Sequence, residues 1–115
     1  MQLLHNPRCS KSREALAALE ERGHAPMIRR YLEDPLSEAE VIELLSQLNI
    51  SPLDLVRQKE ELWRELSAGK ILTDANIIDL LVQHPKLIER PILIHQNKAA
   101  IGRPLENLLE LLNKQ

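Results

Sequence analysis

The chain contains one cysteine, Cys9, within the run His5-Asn6-Pro7-Arg8-Cys9-Ser10-Lys11-Ser12-Arg13. Whatever chemistry Cys9 does, it does as a free thiol or with a partner's sulfur. With no second cysteine an internal disulfide is excluded, and a thiolate metal cluster cannot form from this chain alone. Cys9 follows a short apolar stretch and precedes a helical pattern. A thiol placed there meets unpaired helix N–H groups and the positive end of the helix dipole, both of which favour the thiolate. Arg8, Lys11 and Arg13 add positive charge close by. The plainer alternative, an inert cysteine packed for its volume, fits poorly with neighbours such as Asn, Pro, Arg and Ser.

His5, four residues before Cys9, could tune the thiol through a hydrogen bond or its field. A solvent-facing histidine at a strand end reads equally well. Ser12 makes Cys9-Ser10-Lys11-Ser12 a C-x-x-S pattern, with serine where a two-cysteine oxidoreductase carries its resolving thiol. Turnover of a Cys9 adduct therefore requires an external thiol, and Ser12 itself is most simply a helix-cap residue. Three arginines stand at element boundaries: Arg57 after a short helix, Arg90 before Pro91 and Arg103 before Pro104. The planar guanidinium fork suits tetrahedral oxyanions, so three of them converging on a thiolate would make an oxyanion site with a built-in nucleophile. Taken singly, each reads as a surface arginine.

Two competing chemistries fail on spacing. A phosphatase-like Cys-x5-Arg loop needs arginine at the sixth residue after Cys9, and that residue is Ala15. The histidines His5, His24, His84 and His95 are scattered, without H-x-x-x-H spacing, so no metal site is expected.

The elements that must position these residues follow from punctuation and periodicity. Gln2–His5 reads as a strand stopped by Asn6-Pro7, and residues 11–22 as a helix with Ala15, Leu16, Ala18 and Leu19 on one face and Gly23 as its stop. Met27–Leu32 reads as a second strand, broken by Asp34-Pro35. Ser37-Glu38-Ala39-Glu40 is a capping box, with Val41, Leu44, Leu45 and Leu48 spaced for a helix. Shorter helical pieces are expected around Leu53–Val56, with Pro52 at the first position, and at Glu60–Ser67. A helix over Asp74–Gln83 follows, capped by Thr73 or Asp74 and ended by Pro85. Pro91–His95 and Lys98–Ile101 flank Gln96-Asn97, a two-residue hairpin. Gly102-Arg103-Pro104 leads into a last helix with Leu105, Leu108, Leu109 and Leu112 on one face. A strand-helix-strand start and a hairpin-helix finish predict a thioredoxin-like α/β fold. Its sheet is small, mixed and four-stranded, with flanking helices and a helical insertion between strands 2 and 3.

Composition narrows the functional classes. At 115 residues the chain reads as one domain, residues 1–115, without repeats or flexible linkers. Its apolar content is 23 Leu, 10 Ile and 3 Val against one Trp, one Tyr and no Phe, so aromatic stacking platforms for bases are improbable. A formal net charge of −2 supplies no field for phosphate backbones, and nucleic-acid binding is not expected. No run of about 18 apolar residues exists to span a membrane. Met1–Pro7 lacks the basic and long apolar stretches of a signal peptide, so a cytoplasmic location is expected.

The segment His5–Arg13 resembles the active-site signature of the glutaredoxin-linked arsenate reductase family. The resemblance continues in order through Leu55-Val56-Arg57, Leu87-Ile88-Glu89-Arg90-Pro91-Ile92 and Ile101-Gly102-Arg103-Pro104, four blocks over most of the chain. It implies Cys9 as nucleophile, His5 as modulator of the thiol, and Arg57, Arg90 and Arg103 as an oxyanion clamp. It also implies a cis Arg90-Pro91 peptide facing the cysteine. The activity implied is reduction of arsenate to arsenite through a covalent Cys9 adduct, with arsenate or a similar oxyanion as the bound partner. Glutathione serves as co-substrate, glutaredoxin as the resolving partner, and no cofactor is tightly bound. Two other readings stay open on the residues: a glutathione-dependent thiol reductase acting on another substrate, and a regulatory binding protein resembling the Spx family, whose redox-switch members carry a second cysteine where Ser12 stands.

Overall fold

A computed structural model describes residues 1–113. The contacts fall into two compact units: Met1–Asp34 together with the chain from Arg90 onward, and Pro35–Glu89.

The first unit carries β1 (Gln2–Leu4), α1 (Ser10–Glu21), β2 (Met27–Arg29), β3 (Ile92–His95), β4 (Lys98–Ile101) and α5 (Glu106–Asn113). The strands form one sheet in the order β2-β1-β3-β4. β1 runs parallel to β2, with Leu3 opposite Ile28, and antiparallel to β3, with Leu3 opposite Leu93. β3 and β4 form the expected hairpin. Its turn residues Gln96 and Asn97 have φ of 51° and 63°, the pair of positive values that a type I′ turn needs. This is the mixed, four-stranded, helix-flanked sheet of the thioredoxin-like fold.

Leu3, Ala15, Leu19, Leu93, Leu108 and Leu111 make the unit's core, joining the two central strands to α1 and α5. On α5 the buried pair is Leu108 and Leu111, while Leu105 and Leu112 pack at the margin. α1 closes at Gly23 (φ 81°), with His24 N–H donating to the Leu19 carbonyl and Gly23 N–H to that of Glu20, a Schellman close that glycine permits.

β2 is shorter than its apolar pattern predicts. The Arg30 carbonyl accepts from the N–H groups of both Glu33 and Asp34 at 2.9 Å, a turn that lifts the chain off the sheet after Arg29. Tyr31 is fully buried within this turn.

The second unit is the helical insertion between β2 and β3. It holds α2 (Glu38–Leu48), α3 (Glu61–Ser67), α4 (Asp74–Gln83) and two short 3-10 turns, Pro52–Leu55 and Pro85–Leu87. Ser37 and Glu40 form the expected capping box on α2, and Thr73 with Asn76 caps α4 in the same way. Buried Val41, Leu44 and Leu45 of α2 and Ile77 and Leu81 of α4 provide apolar packing for these elements. The two 3-10 turns lead into an antiparallel bridge between Val56 and Ile88, with Arg57 N–H donating to the Leu87 carbonyl at 2.7 Å and Glu89 N–H to that of Leu55 at 2.9 Å. No helix among the described residues is long and apolar enough to cross a membrane.

Gly102 is needed for its missing side chain. Its N–H donates to the Pro91 carbonyl at 2.8 Å, and a Cβ there would stand 2.9 Å from Pro91 Cγ and 3.0 Å from Leu108 Cδ1. Neither a proline ring nor a leucine of the core moves freely, so Gly102→Ala is expected to cost about 1–3 kcal/mol of stability by overpacking. That corresponds to a Tm lower by roughly 4–8 °C per kcal/mol for a domain of this size. An unchanged melting temperature in calorimetry would contradict the tight approach.

Candidate active site

Cys9 is the N-cap residue of α1, with extended backbone (φ −94°, ψ 123°). The loop that brings the chain there is tied at several points. Asn6 Oδ1 accepts from Arg8 N–H at 3.0 Å, the Asn6 carbonyl accepts from Cys9 N–H at 2.9 Å, and Arg13 donates to the Pro7 carbonyl at 3.0 Å. The sulfur thus faces the first free N–H groups of the helix.

Burial by itself pushes the Cys9 thiol up, but more acts against it. A hydrogen bond from the Arg90 side chain, backbone N–H donation from Ser12 and Lys11, and the Arg90 charge together bring it down from 9.0 to about 7. Cys9 alkylation by iodoacetamide is therefore expected to accelerate through a midpoint near pH 7, since the thiolate is the reacting form. A midpoint close to 9 would refute the Arg90 contact.

Arg90 opens the segment returning to the sheet, and its peptide with Pro91 is cis, as the resemblance implies. Burial works against its charge, yet Cys9 and Tyr31 more than offset this and raise its pKa. Arg90 Nε is buried and has no hydrogen-bond partner among the described residues. Arg103 lies at the next cis peptide, Arg103-Pro104, which the sequence did not suggest. Its Nε donates to the Arg90 carbonyl at 2.7 Å. Arg90 and Arg103 are therefore joined, and Arg90 reaches the cysteine.

Arg57 belongs to the second unit. Its guanidinium is paired with Glu60 at 3.0 Å and with Glu89 at 4.0 Å, and Glu60 is also met by Lys86 at 3.5 Å. These carboxylates offset its charge locally.

His5 lies just beyond β1, its N–H donating to the Arg29 carbonyl at 2.9 Å. It is buried, so the solvent-facing alternative does not hold. Burial first, then the charges of Arg30 and Arg13, lowers its pKa and keeps the ring neutral near pH 7. Nδ1 has no partner, and among the described residues His5 makes no hydrogen bond to Cys9. Ser12 is not the cap: it is fully buried, and its Oγ accepts from Asn6 N–H at 3.3 Å, fastening the cysteine loop to the helix. Pro91 is buried beside Gly102.

Tyr31 is the residue that sequence reasoning missed. It is the only tyrosine of an aromatic-poor chain and interacts with Arg90. A buried tyrosine usually finds a polar partner for its hydroxyl, and this one follows Arg29-Arg30 at a strand end. That was the available signal, but nothing local could name Arg90 as the partner. Among the described residues no group of three His, Cys, Asp or Glu is placed to hold a metal.

A thioredoxin-like sheet with a lone, acidified cysteine at the head of its first helix and an arginine against the sulfur defines a class of single-thiol proteins. The comparisons narrow it. The ArsC family model matches residues 4–111. Uncharacterized protein YfgD of Escherichia coli (strain K12) is 46% identical over 114 residues, covering 97% of this chain and 96% of that protein. The arsenate reductase of Haemophilus influenzae is 42% identical over 112 residues, covering 96% and 97%. In the solved structure of an arsenate reductase from Vibrio cholerae, the TM-score is 0.90 at 45% identity, covering 95% of this chain and 94% of that one. The chain belongs to the ArsC family.

Proposed function

We propose that this protein is an arsenate reductase that draws its electrons from glutathione and is resolved by glutaredoxin. The observation that carries the reading is Arg90: its side chain bonds the Cys9 sulfur while its buried Nε has no acceptor among the described residues. A buried donor without a partner is uncommon in a folded protein. The planar guanidinium fork beside a nucleophilic sulfur suits an oxyanion.

In the proposed reaction the Cys9 thiolate attacks the arsenic of arsenate, forming an S–As bond while one As–O bond breaks and its oxygen leaves as hydroxide, which takes a proton from solvent to become water. Arg90 and Arg103 offset charge on the remaining oxygens. Arg57 joins them on the family resemblance alone. His5 acts on the thiol as a neutral neighbour, and Ser12 and Pro91 hold the loop and the return segment in place. Glutathione thiolate then attacks the Cys9 sulfur. The S–As electron pair leaves with arsenic, which departs as arsenite, and the two sulfurs become the Cys9–glutathione disulfide. Two electrons pass from the two thiols to arsenic. Because Ser12 stands where a resolving cysteine would be, the disulfide is opened from outside, by a glutaredoxin thiol attacking the glutathione sulfur and freeing Cys9.

The test is arsenate-dependent NADPH oxidation coupled through glutathione, glutaredoxin and glutathione reductase. A rate that requires arsenate, glutathione and glutaredoxin is expected. No rate, with the coupling proteins shown competent on another disulfide, would overturn the reading in favour of glutathione-dependent chemistry on a different substrate.

A further inference from the structure

Arg90 has two tasks in the proposed site: it donates to the Cys9 sulfur, and it keeps a full positive charge for an oxyanion. A long side chain left to its rotamers holds no such geometry, because fixing it costs conformational entropy. Within the first unit three groups bear on it. Its guanidinium donates to the sulfur, its backbone carbonyl accepts from Arg103 Nε at 2.7 Å, and its guanidinium also meets the Tyr31 side chain through a hydrogen bond. The first two belong to the site already described. The third is a side-chain contact from a separate element.

Tyr31 is fixed where it stands. It is fully buried, and the backbone before it is tied twice: the Arg29 carbonyl accepts from His5 N–H, and the Arg30 carbonyl from the N–H groups of Glu33 and Asp34, all at 2.9 Å. The same His5 link joins this turn to the start of the cysteine loop. Volume alone does not account for a tyrosine here. The chain has one tyrosine and no phenylalanine, its core is otherwise built mainly of aliphatic residues, and burying a hydroxyl is costly unless it serves a polar partner.

Arg57 shows what a different partner does. The carboxylates of Glu60 and Glu89 hold its guanidinium and offset its charge in doing so. A phenol is a neutral acceptor, so it can hold a guanidinium and leave the charge available. Resting on the proposed role of Arg90 at the reacting sulfur, we infer that Tyr31 is a positioning residue whose phenol oxygen holds the Arg90 guanidinium, its charge uncancelled, against the Cys9 sulfur and the oxyanion.

The experiment is Tyr31→Phe, which keeps the ring and removes the oxygen, read by iodoacetamide alkylation of Cys9 across pH. At about pH 6 the rate should fall roughly fivefold, the scale of one net hydrogen bond. Well above pH 9 it should converge on the wild type, because both thiols are then ionised. An unmoved profile, or an equal change at every pH, would overturn the assignment. In an Arg90→Lys background Tyr31→Phe should lose most of its effect, since the group it holds is gone; an undiminished effect would place its action elsewhere and overturn the assignment too. Independently of any variant, the wild type should show a nuclear Overhauser contact between the Tyr31 ring and the Arg90 guanidinium protons, and its absence would be equally fatal. None of these readouts contains arsenate, so failure of the arsenate assay and failure of the Tyr31 assignment are distinguishable.

Discussion

Cys9→Ser is expected to remove arsenate-dependent NADPH oxidation altogether, not merely to slow it. A serine hydroxyl at the N-cap would meet the same helix N–H groups but ionises far above neutral pH. Even a small attacking fraction could not lead to turnover, because oxygen cannot form the disulfide through which two electrons reach arsenic. The fold should survive. Cys9 is only partly buried, and serine is a favoured N-cap residue whose hydroxyl can accept from the same Ser12 and Lys11 N–H groups that act on the sulfur. Unfolding curves for Cys9→Ser should therefore match or slightly exceed the wild type while activity is absent. Measurable turnover by a well-folded Cys9→Ser protein would remove the cysteine from the mechanism.

Arg90→Lys should cost roughly a hundredfold in turnover at pH 7, the scale of losing one oriented donor to a developing oxyanion. Two separate losses contribute. Lysine keeps the charge but not the planar fork, so the hydrogen bond to sulfur weakens and the Cys9 midpoint should climb from about 7 toward 9. A lower thiolate fraction at neutral pH follows from that sign, and raising the pH should recover this share of the rate. The share that persists at alkaline pH reports the missing fork on the oxyanion. The Tyr31 interaction, which helps to hold Arg90 charged, should be disturbed by the same substitution. A variant with unchanged rate and unchanged alkylation midpoint would place Arg90 outside the site.

Much of this arrangement was legible because it is local. The α2 capping box, the hairpin turn at Gln96-Asn97 and the helix over Asp74–Gln83 each depend on residues within a few positions of one another, and each appears where its spacing puts it. Cys9 at the head of α1 is equally local, since a proline-terminated strand and a helical pattern flank it. What was not legible is set by distant contacts. β2 stops early because the Arg30 carbonyl is taken by a turn, overriding an apolar pattern through Leu32. Ser12 looked like a cap, but its hydroxyl is committed backward to Asn6. Of the boundary arginines, Arg90 is the one whose side chain and charge lower the Cys9 pKa. Arg103 donates to the backbone carbonyl of Arg90, and Arg57 is engaged by Glu60 and Glu89. Those differences arise from pairings across the fold, which spacing along the chain does not encode.

The most direct measurement is the intact mass of the reduced protein after anaerobic incubation with arsenate and glutathione, with glutaredoxin left out. With arsenate the sole oxidant, the account predicts one glutathione joined to the chain by a disulfide at Cys9, one arsenite released per chain, and neither product when arsenate is omitted. Arsenite release without Cys9 modification, or glutathione attached equally well in the absence of arsenate, would contradict it.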